Sequence, residues 1–291
     1  MNPPTPASPT RLAAFFTLIR IPNCILIGLA VLVAETIGLG GLPSAREAVF
    51  GFLTAFLLLA GTMVFNDIQD VQVDRVNSPD RPIPSGRVSI RQAYALSIVF
   101  STLALTSSLV LGVFTFLITL IALVLMAYYN TRGKKTGLLG NAVVSFNVAL
   151  PFIFGGLAVN NLRPLLFIFF LLAFLANTAR EVAKGITDVA GDSSKGIMTI
   201  AVTQGPKRAA QLAATFFVVA VLLSFLAPVF DQKVSMFYYP GVVIADLGFL
   251  YSSYQLTHDP TATTVRRVKS QVLVWMLLGL VGFFMGGIPA L

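Results

Sequence analysis

Charged residues are scarce in this chain of 291 residues: Asp, Glu, Lys and Arg together make up 11% of it, whereas 56% is hydrophobic. A soluble domain contains about 25% charged residues. Too little charge is present here to cover the surface of a soluble globule, which excludes a typical soluble enzyme, a disordered chain and a coiled coil. The mean hydropathy of +0.84 is also typical of a membrane protein.

Cysteine and histidine each occur once, as Cys24 and His258. A single cysteine excludes an intrachain disulfide and a multi-cysteine zinc or iron–sulfur site. A single histidine argues against a Ser-His-Asp triad and against a histidine-rich metal site. Any metal chemistry must then use carboxylates, which favours hard cations such as Mg2+.

Long apolar runs predict an all-α membrane protein with nine transmembrane helices in one bundle around a central cavity. A helix needs about 20 mostly apolar residues to cross the hydrocarbon, and no polar linker divides the runs, so we expect a single domain over residues 1–291 with a frayed N-terminus at 1–10. The predicted spans are Leu12–Leu39, Ala48–Asn66, Gln92–Leu111, Phe114–Tyr129, Leu139–Val159, Pro164–Ala183, Ala209–Phe230, Val234–Leu256 and Ser270–Leu291.

The basic residues predict how the chain is oriented. With nine crossings, 17 of the 20 Lys and Arg residues, Lys195 included, fall on the side of the N-terminus, and the other three are Arg46, Arg163 and Lys233. Cytoplasmic loops contain an excess of Lys and Arg. We therefore expect a multi-pass cell-membrane protein with a cytoplasmic N-terminus, an external C-terminus at Leu291, no nucleic-acid partner and no obligate protein partner.

An acidic cluster follows the second predicted span. Asp67, Asp70 and Asp74 are spaced to share one face of a helix, and Asn66 adds an amide oxygen. Three like charges this close repel one another unless a cation lies among them, and this set of oxygen donors suits Mg2+. The alternative is a solvated helix end that makes ordinary ion pairs, with Arg75 neutralising part of the charge.

A second cluster follows the sixth span on the same side of the membrane. Asp188 and Asp192 repeat the four-residue spacing of the first cluster at an offset of 118 residues, which indicates an internal duplication with two half-sites facing each other. Two such clusters could hold one diphosphate through bridging Mg2+ and so promote its departure. Ordinary pairing of Lys184 with Asp188 along the helix is the alternative.

Basic side chains lie close to both clusters in sequence. The loop after the fourth span contains Arg132, Lys134 and Lys135, which could hold phosphate oxygens or form a plain cytoplasmic loop. The proline-rich segment Asn77–Arg87 cannot be a regular helix. It would bring Arg81 over the acidic site as a partial lid, or serve as a rigid connector.

Charged residues within the apolar spans need partners. Arg20, in the first span near Asn23, could bind a substrate phosphate or extend to the interface. Glu35 and Asp246 are expected to be satisfied buried acids, and His258 a loop residue.

These motifs resemble the UbiA superfamily of intramembrane prenyltransferases. Asn66-Asp67-x-x-Asp70-x-x-x-Asp74 is similar to the first aspartate motif of that family, Asp188-x-x-x-Asp192 is similar to the core of the second, and the resemblance extends over essentially the whole chain. It implies Mg2+ as cofactor and a lateral opening to the bilayer. The expected Mg2+ ligands are Asn66, Asp67, Asp70, Asp74, Asp188 and Asp192, of which the five aspartates are the expected catalytic residues. The expected substrate-binding residues are Arg20, Asn23, Asn66, Arg81, Tyr129, Arg132, Lys134, Arg180 and Lys184.

Three further segments resemble one branch of that superfamily, the archaeal digeranylgeranylglyceryl phosphate synthases. They are Arg20-x-Pro22-Asn23-Cys24, the proline-rich segment from Asn77, and Arg180-Glu181-x-x-Lys184. In the second motif this chain has Gly185 and Thr187 where that branch usually has further acids. The resemblance implies transfer of a geranylgeranyl group from its diphosphate, an isoprenoid substrate, to the hydroxyl of a lipid acceptor, geranylgeranylglyceryl phosphate. A prenyltransferase for hydroxybenzoate or naphthoate acceptors and a secondary transporter are the alternatives.

Overall fold

A computed structural model of the protein describes residues 11–194, 196–231 and 234–288. The predicted frayed segment 1–10, the sides assigned to Lys195 and Lys233, and the C-terminus at Leu291 lie outside these residues. The regular structure of the described residues consists of thirteen α-helices and one short 3-10 helix, Gly133–Thr136. They are α1 Arg11–Ile19, α2 Ile21–Leu39, α3 Ala45–Gln69, α4 Val71–Asn77, α5 Ile90–Leu111, α6 Val113–Thr131, α7 Leu138–Ala158, α8 Pro164–Ser194, α9 Ile200–Gln204, α10 Pro206–Ser224, α11 Ala227–Phe230, α12 Tyr238–His258 and α13 Ala262–Gly287.

Eight of the described helices are long and apolar enough to cross a membrane, which confirms the predicted all-helical, multi-pass membrane protein. The remaining predicted span, the eighth at Val234–Leu256, corresponds to α12, which has 21 residues. This helix contains Asp246, Gln255 and His258 and is not one of the eight. Asp246 is nevertheless buried, so α12 packs within the bundle.

The first predicted span is divided into two helices, which corrects the expectation of one continuous segment. Arg20 separates α1 from α2 and has left-handed backbone angles, φ 54° and ψ 55°. The cause is Pro22 in the first turn of α2, because it lacks the N–H that would continue the hydrogen bonding of α1 and its ring would collide with the preceding turn. A left-handed conformation costs a non-glycine residue about 1–2 kcal/mol.

The sixth span is longer than predicted. Instead of ending at Ala183, α8 continues without a break to Ser194, so Asp188 and Asp192 lie one turn apart on the same helix as the apolar segment. The charged turns extend beyond the apolar run because helical hydrogen bonding does not require a hydrophobic environment. The second acidic cluster is therefore held rigidly by the membrane helix itself.

Close packing between helices depends on small residues. A Cβ atom added to Gly155 of α7 would lie 2.5 Å from the Cβ of Ala34 in α2, and one added to Gly241 of α12 would lie 2.8 Å from the Cα of Gly282 in α13. Contacts this short require glycine, as is common where membrane helices meet. These contacts fix the distances between α2 and α7 and between α12 and α13.

Hydrogen bonds between connecting segments tie together one end of the bundle. Arg163, between α7 and α8, pairs with Asp231 at 2.6 Å and donates to the carbonyl of Ile37 at 2.7 Å. The N–H of Ser235 donates to the carbonyl of Gly286 near the end of α13. These contacts join residues near the ends of α2 and α13 to the start of α8 and the segment before α12, and the aspartate motifs lie at the opposite ends of their helices.

Two of three predictions for isolated polar residues are wrong. Glu35 is fully buried, yet neither carboxylate oxygen has a hydrogen-bond partner among the described residues, so it is not a satisfied acid. His258 is the last residue of α12, where it stacks on Tyr254, and is not a loop residue. Asp246 is satisfied as predicted, since it accepts a hydrogen bond of 2.7 Å from Ser224.

Candidate functional site

The first acidic cluster lies at the junction of two helices rather than on one. α3 ends at Gln69 and α4 begins at Val71, with Asp70 between them at φ −89° and ψ −1°. Asp67 and Asp74 are both buried, with 5% and 6% of their surfaces exposed. Asp67 and Asp74 share Arg81 as a partner, whereas Asp70 pairs with Lys134.

One arginine lies between these two buried carboxylates. The Nη1 of Arg81 is 2.6 Å from Asp74 and 3.8 Å from Asp67, while Arg20 pairs with Asp67 at 2.8 Å. The proline-rich segment that contains Arg81 forms turns rather than a regular helix, as predicted. Asp74 is thus neutralised by a residue seven positions away, and the neighbouring Arg75 is exposed.

Asp70 is bound by a residue from the middle of the chain. The ammonium of Lys134 lies 2.8 Å from each carboxylate oxygen of Asp70, and the amide of Asn66 donates to the same carboxylate at 3.1 Å. Lys134 belongs to a short 3-10 turn, Gly133–Thr136, between α6 and α7. Residues 64 positions apart in sequence therefore meet at the first acidic cluster.

The two basic residues that precede the second cluster both pair with an acid to which sequence reasoning gave no role. Glu181 pairs with Arg180 at 3.1 Å and with Lys184 at 3.5 Å. The alternative pairing of Lys184 with Asp188 does not occur in the described structure, where the exposed Asp188 accepts a hydrogen bond from Thr187. The spacing of Glu181 and Lys184, three residues apart on a helix, was the available signal.

Tyr129 is close enough to acids of both clusters to interact with them electrostatically. It lies near the end of α6 and within electrostatic range of Asp70 from the first cluster and of Glu181 and Asp192 from the second. Asp192 is half-buried, four residues after Asp188 on α8. The ends of α3, α6 and α8 therefore bring acidic groups from both motifs towards one tyrosine.

Two residues predicted to bind substrate lie at the edge of this region. Arg132 follows the last residue of α6 and is exposed, and Asn23 is exposed in the first turn of α2. Arg180, by contrast, is half-buried, and its Nε has no hydrogen-bond partner among the described residues. A buried guanidinium nitrogen without a partner is costly, which makes Arg180 available to an anionic ligand.

The donor groups at the first cluster fit Mg2+. Their oxygens come from carboxylates and an amide, which are the ligands that hard cations prefer. The position of Arg81 Nη1 between Asp67 and Asp74 shows that the two carboxylates can share one positive group. Among the residues that the structure describes, however, no three acidic, histidine or cysteine side chains are grouped closely enough to hold a metal ion. The carboxylates of the first cluster are paired with basic side chains instead.

Comparison with known proteins agrees with this geometry. Residues 27–281 match the UbiA prenyltransferase family. A digeranylgeranylglyceryl phosphate synthase from Thermococcus kodakarensis is 32% identical over 275 residues, which cover 94% of this chain and 98% of that protein. The match thus includes both acidic clusters and the helices between them.

Solved structures share the fold. One, described as digeranylgeranylglyceryl phosphate synthase in membranes, is 28% identical with a TM-score of 0.82, covering 96% of this chain and 99% of that one. A UbiA homolog from Archaeoglobus fulgidus bound to GPP and Mg2+ is 19% identical with a TM-score of 0.66, covering 93% of this chain and 99% of that one. The chain therefore belongs to the UbiA prenyltransferase family and is an integral-membrane prenyltransferase.

Proposed function

We propose that this protein, acting as a single membrane domain, transfers a geranylgeranyl group from geranylgeranyl diphosphate to the free hydroxyl of geranylgeranylglyceryl phosphate in a Mg2+-dependent reaction. The observation that carries the proposal is that Asp70 of the first motif and Asp192 of the second both lie within electrostatic range of Tyr129, while basic side chains pair with the acids of the first motif. The relative from Thermococcus kodakarensis, which has the named activity, supports the choice of acceptor.

The basic residues would bind the diphosphate of the donor. Lys134 and Arg81 lie on the carboxylates of the first motif, and Arg180 has a buried nitrogen without a partner. Charged hydrogen bonds of this kind contribute about 1.5–3 kcal/mol each. When bound, Mg2+ would neutralise charge on the departing diphosphate. The residues that would hold it are Asn66, Asp67, Asp70, Asp74, Asp188 and Asp192.

The remaining chemistry follows from the donor and the acceptor. The allylic C–O bond breaks and its electron pair leaves with the diphosphate, because the resulting carbocation is stabilised by resonance. The acceptor hydroxyl then forms the ether C–O bond and loses its proton to the diphosphate or to a neighbouring carboxylate. Water must be kept from the cation, since hydrolysis would compete. The apolar helices that surround the buried Asp67 and Asp74 serve that purpose.

The orientation in the membrane is part of the proposal. The excess of Lys and Arg on the side of the aspartate motifs supports a cytoplasmic site. The substrates are amphiphilic, with isoprenoid tails in the bilayer and phosphate groups at its surface. A site at one end of the bundle suits such molecules, because the head groups reach the charged residues while the tails stay among apolar side chains.

A product assay tests the proposal. The full chain in lipid nanodiscs is given geranylgeranyl diphosphate and geranylgeranylglyceryl phosphate, and the ether product is measured by mass spectrometry with Mg2+ or with EDTA. We expect product only with Mg2+, and a loss of about 100-fold or more in Asp70→Asn. Asp80→Asn, at an exposed aspartate of the neighbouring loop, is the matched control and should retain activity.

Other outcomes of the same assay would contradict the proposal. A protein that prenylates 4-hydroxybenzoate or dihydroxynaphthoate, and leaves the glyceryl phosphate unchanged, would have a different acceptor class. Full product formation in EDTA would contradict Mg2+ dependence. Normal turnover by Asp70→Asn would remove the first motif from the reaction.

A further inference from the structure

We propose that Arg20, Arg81 and Lys134 are internal counter-ions that keep divalent metal off the first motif until a diphosphate arrives, so that metal and diphosphate bind as strongly coupled ligands. The inference rests on the proposed function, because it concerns the same carboxylates. It goes further by assigning these basic residues a second position, on the aspartates, in the absence of substrate. Their exchange between carboxylate and phosphate would set the order of binding.

Lys134 gives the clearest case. Its ammonium is equidistant from both oxygens of Asp70, at 2.8 Å, so it covers both oxygens that a metal ion would use. The side chains are only partly exposed, at 23% for Lys134 and 31% for Asp70, so water screens this pair incompletely. A metal ion alone must displace the ammonium and leave it without a counter-ion.

The buried carboxylates are occupied in the same way. Arg81 lies between Asp67 and Asp74, and Arg20 pairs at 2.8 Å with the same Oδ1 of Asp67 that Arg81 approaches at 3.8 Å. Removing one partner from a buried ion pair leaves a charge without compensation, which is strongly unfavourable. At the arginines the penalty is smaller, since their side chains are 32% and 41% exposed, but metal alone would still take the carboxylate partner from each.

A diphosphate removes the obstacle because it supplies phosphate oxygens to the displaced basic groups. Arginine and lysine exchange one anionic partner for another while the carboxylates turn to the metal. No basic group is then left unpaired. The metal frees the basic groups from the carboxylates, and the diphosphate gives those groups a new anionic partner. Each ligand must therefore tighten the binding of the other by the same factor.

Each of the three basic residues has a long side chain and lies outside the long helices, so its charged end can change partner while the backbone stays in place. Arg20 is the single residue between α1 and α2, and its left-handed backbone is unfavourable for a residue with a side chain. Lys134 belongs to a four-residue 3-10 turn, and Arg81 to the turns between α4 and α5. Asp67 and Asp70, by contrast, lie at the end of the long helix α3, and Asp74 lies on α4, which follows directly. The exchange therefore moves the cations and leaves the carboxylates in place.

Direct measurement of metal binding tests this inference. Binding of Mn2+ alone, as a probe for Mg2+, is measured by electron paramagnetic resonance of the free ion with the full chain in nanodiscs. We expect Lys134→Met to bind Mn2+ about tenfold more tightly than the unmodified protein, since the competing ammonium is gone. Lys135→Met, one residue away and exposed, should change the affinity less than twofold. The gain should vanish in Lys134→Met combined with Asp70→Asn.

A second arm measures the coupling itself. Geranylgeranyl S-thiolodiphosphate, an unreactive diphosphate, should tighten Mn2+ binding to the unmodified protein by a factor of about 5–150, after correction for metal bound by the free compound. The factor should be smaller in Lys134→Met. Arg81→Met provides an independent check and should likewise bind Mn2+ alone more tightly, in case the turn that contains Lys134 is disturbed.

The outcomes separate this inference from the proposed function. Mn2+ binding that is equally tight with and without the thiolodiphosphate would overturn the inference, as would Lys134→Met and Arg81→Met variants that bind Mn2+ no better than the unmodified protein. If such a protein still forms the ether product, the proposed function stands. A protein that binds no Mn2+ in any arm would overturn both.

Discussion

Arg81 shows how a single side chain can depend on the three-dimensional fold rather than on sequence neighbourhood. It reaches Asp74 and Asp67 across a turn of seven residues, whereas Arg75, next to Asp74 in sequence, is exposed. The proline-rich segment makes this possible because prolines restrict the backbone and hold the turn over the end of α3. We therefore treat Arg81 as part of the diphosphate-binding proposal and Arg75 as a surface residue.

Replacing Arg81 should weaken the reaction much more than replacing Arg75. Arg81→Gln removes a charged hydrogen-bonding group, worth about 1–3 kcal/mol, so kcat/KM for geranylgeranyl diphosphate should fall by about 5–150-fold. Arg75→Gln has the same change of charge at an exposed position and should retain its activity. Initial rates of product formation measure both. Equal losses in the two variants would mean that only the overall positive charge matters.

At the level of elements, the short turn between α6 and α7 is fixed against the segment that follows α8. Gly137 has φ 60° and ψ −116°, and a Cβ atom there would lie 2.2 Å from the carbonyl oxygen of Met198. The same turn contains Lys134, and the N–H of Ile197 donates to the carbonyl of Asp192. The contact at Gly137 thus links the segment of the first motif's lysine to the end of the second motif.

Gly137→Ala should separate these two segments. The strained backbone and the collision with Met198 together should lower the free energy of unfolding by about 1–3 kcal/mol, and displacement of Lys134 should lower product formation. Gly41→Ala is the matched control, since no neighbouring atom lies within 4 Å of the added carbon and its φ is not positive. Thermal unfolding in detergent and the product assay measure the two effects. An unfolding temperature for Gly137→Ala equal to that of Gly41→Ala would contradict this description of the turn.

Most of the long helices were predictable from the sequence because apolar runs are bounded by polar residues, glycine or proline. The span predicted at Leu139–Val159, for example, is observed at Leu138–Ala158. The break at Arg20 was not predicted, although Pro22 was a visible signal. The apolar run continues on both sides of Arg20, so its length alone did not indicate that α2 begins there as a separate helix.

The partners of the charged residues could be predicted much less well. Sequence spacing favoured Lys184 with Asp188, whereas the described structure pairs Lys184 with Glu181. The contact between Lys134 and Asp70 joins two connecting segments that are 64 residues apart in the chain, and local spacing contains no information about it. The residue types of the site were therefore foreseeable, but their pairings were not, because those depend on how the helices pack.

At the scale of the whole molecule, the bundle separates two tasks between its ends. One end is closed by structural contacts such as the buried pair of Arg163 and Asp231. The other end contains the aspartate motifs and their basic partners, and Tyr129 lies within electrostatic range of both motifs. The central claim is that these two motifs, on α3–α4 and α8, hold one metal–diphosphate together.

A structure of the full chain with Mn2+ and geranylgeranyl S-thiolodiphosphate, with the metal located by its anomalous scattering, tests that claim most directly. We predict metal contacted by carboxylate oxygens of both motifs, with Asp70 and Asp192 among the nearest acids, and the ammonium of Lys134 on a phosphate rather than on Asp70. Metal held by one motif alone, with Lys134 still paired to Asp70, would contradict the account.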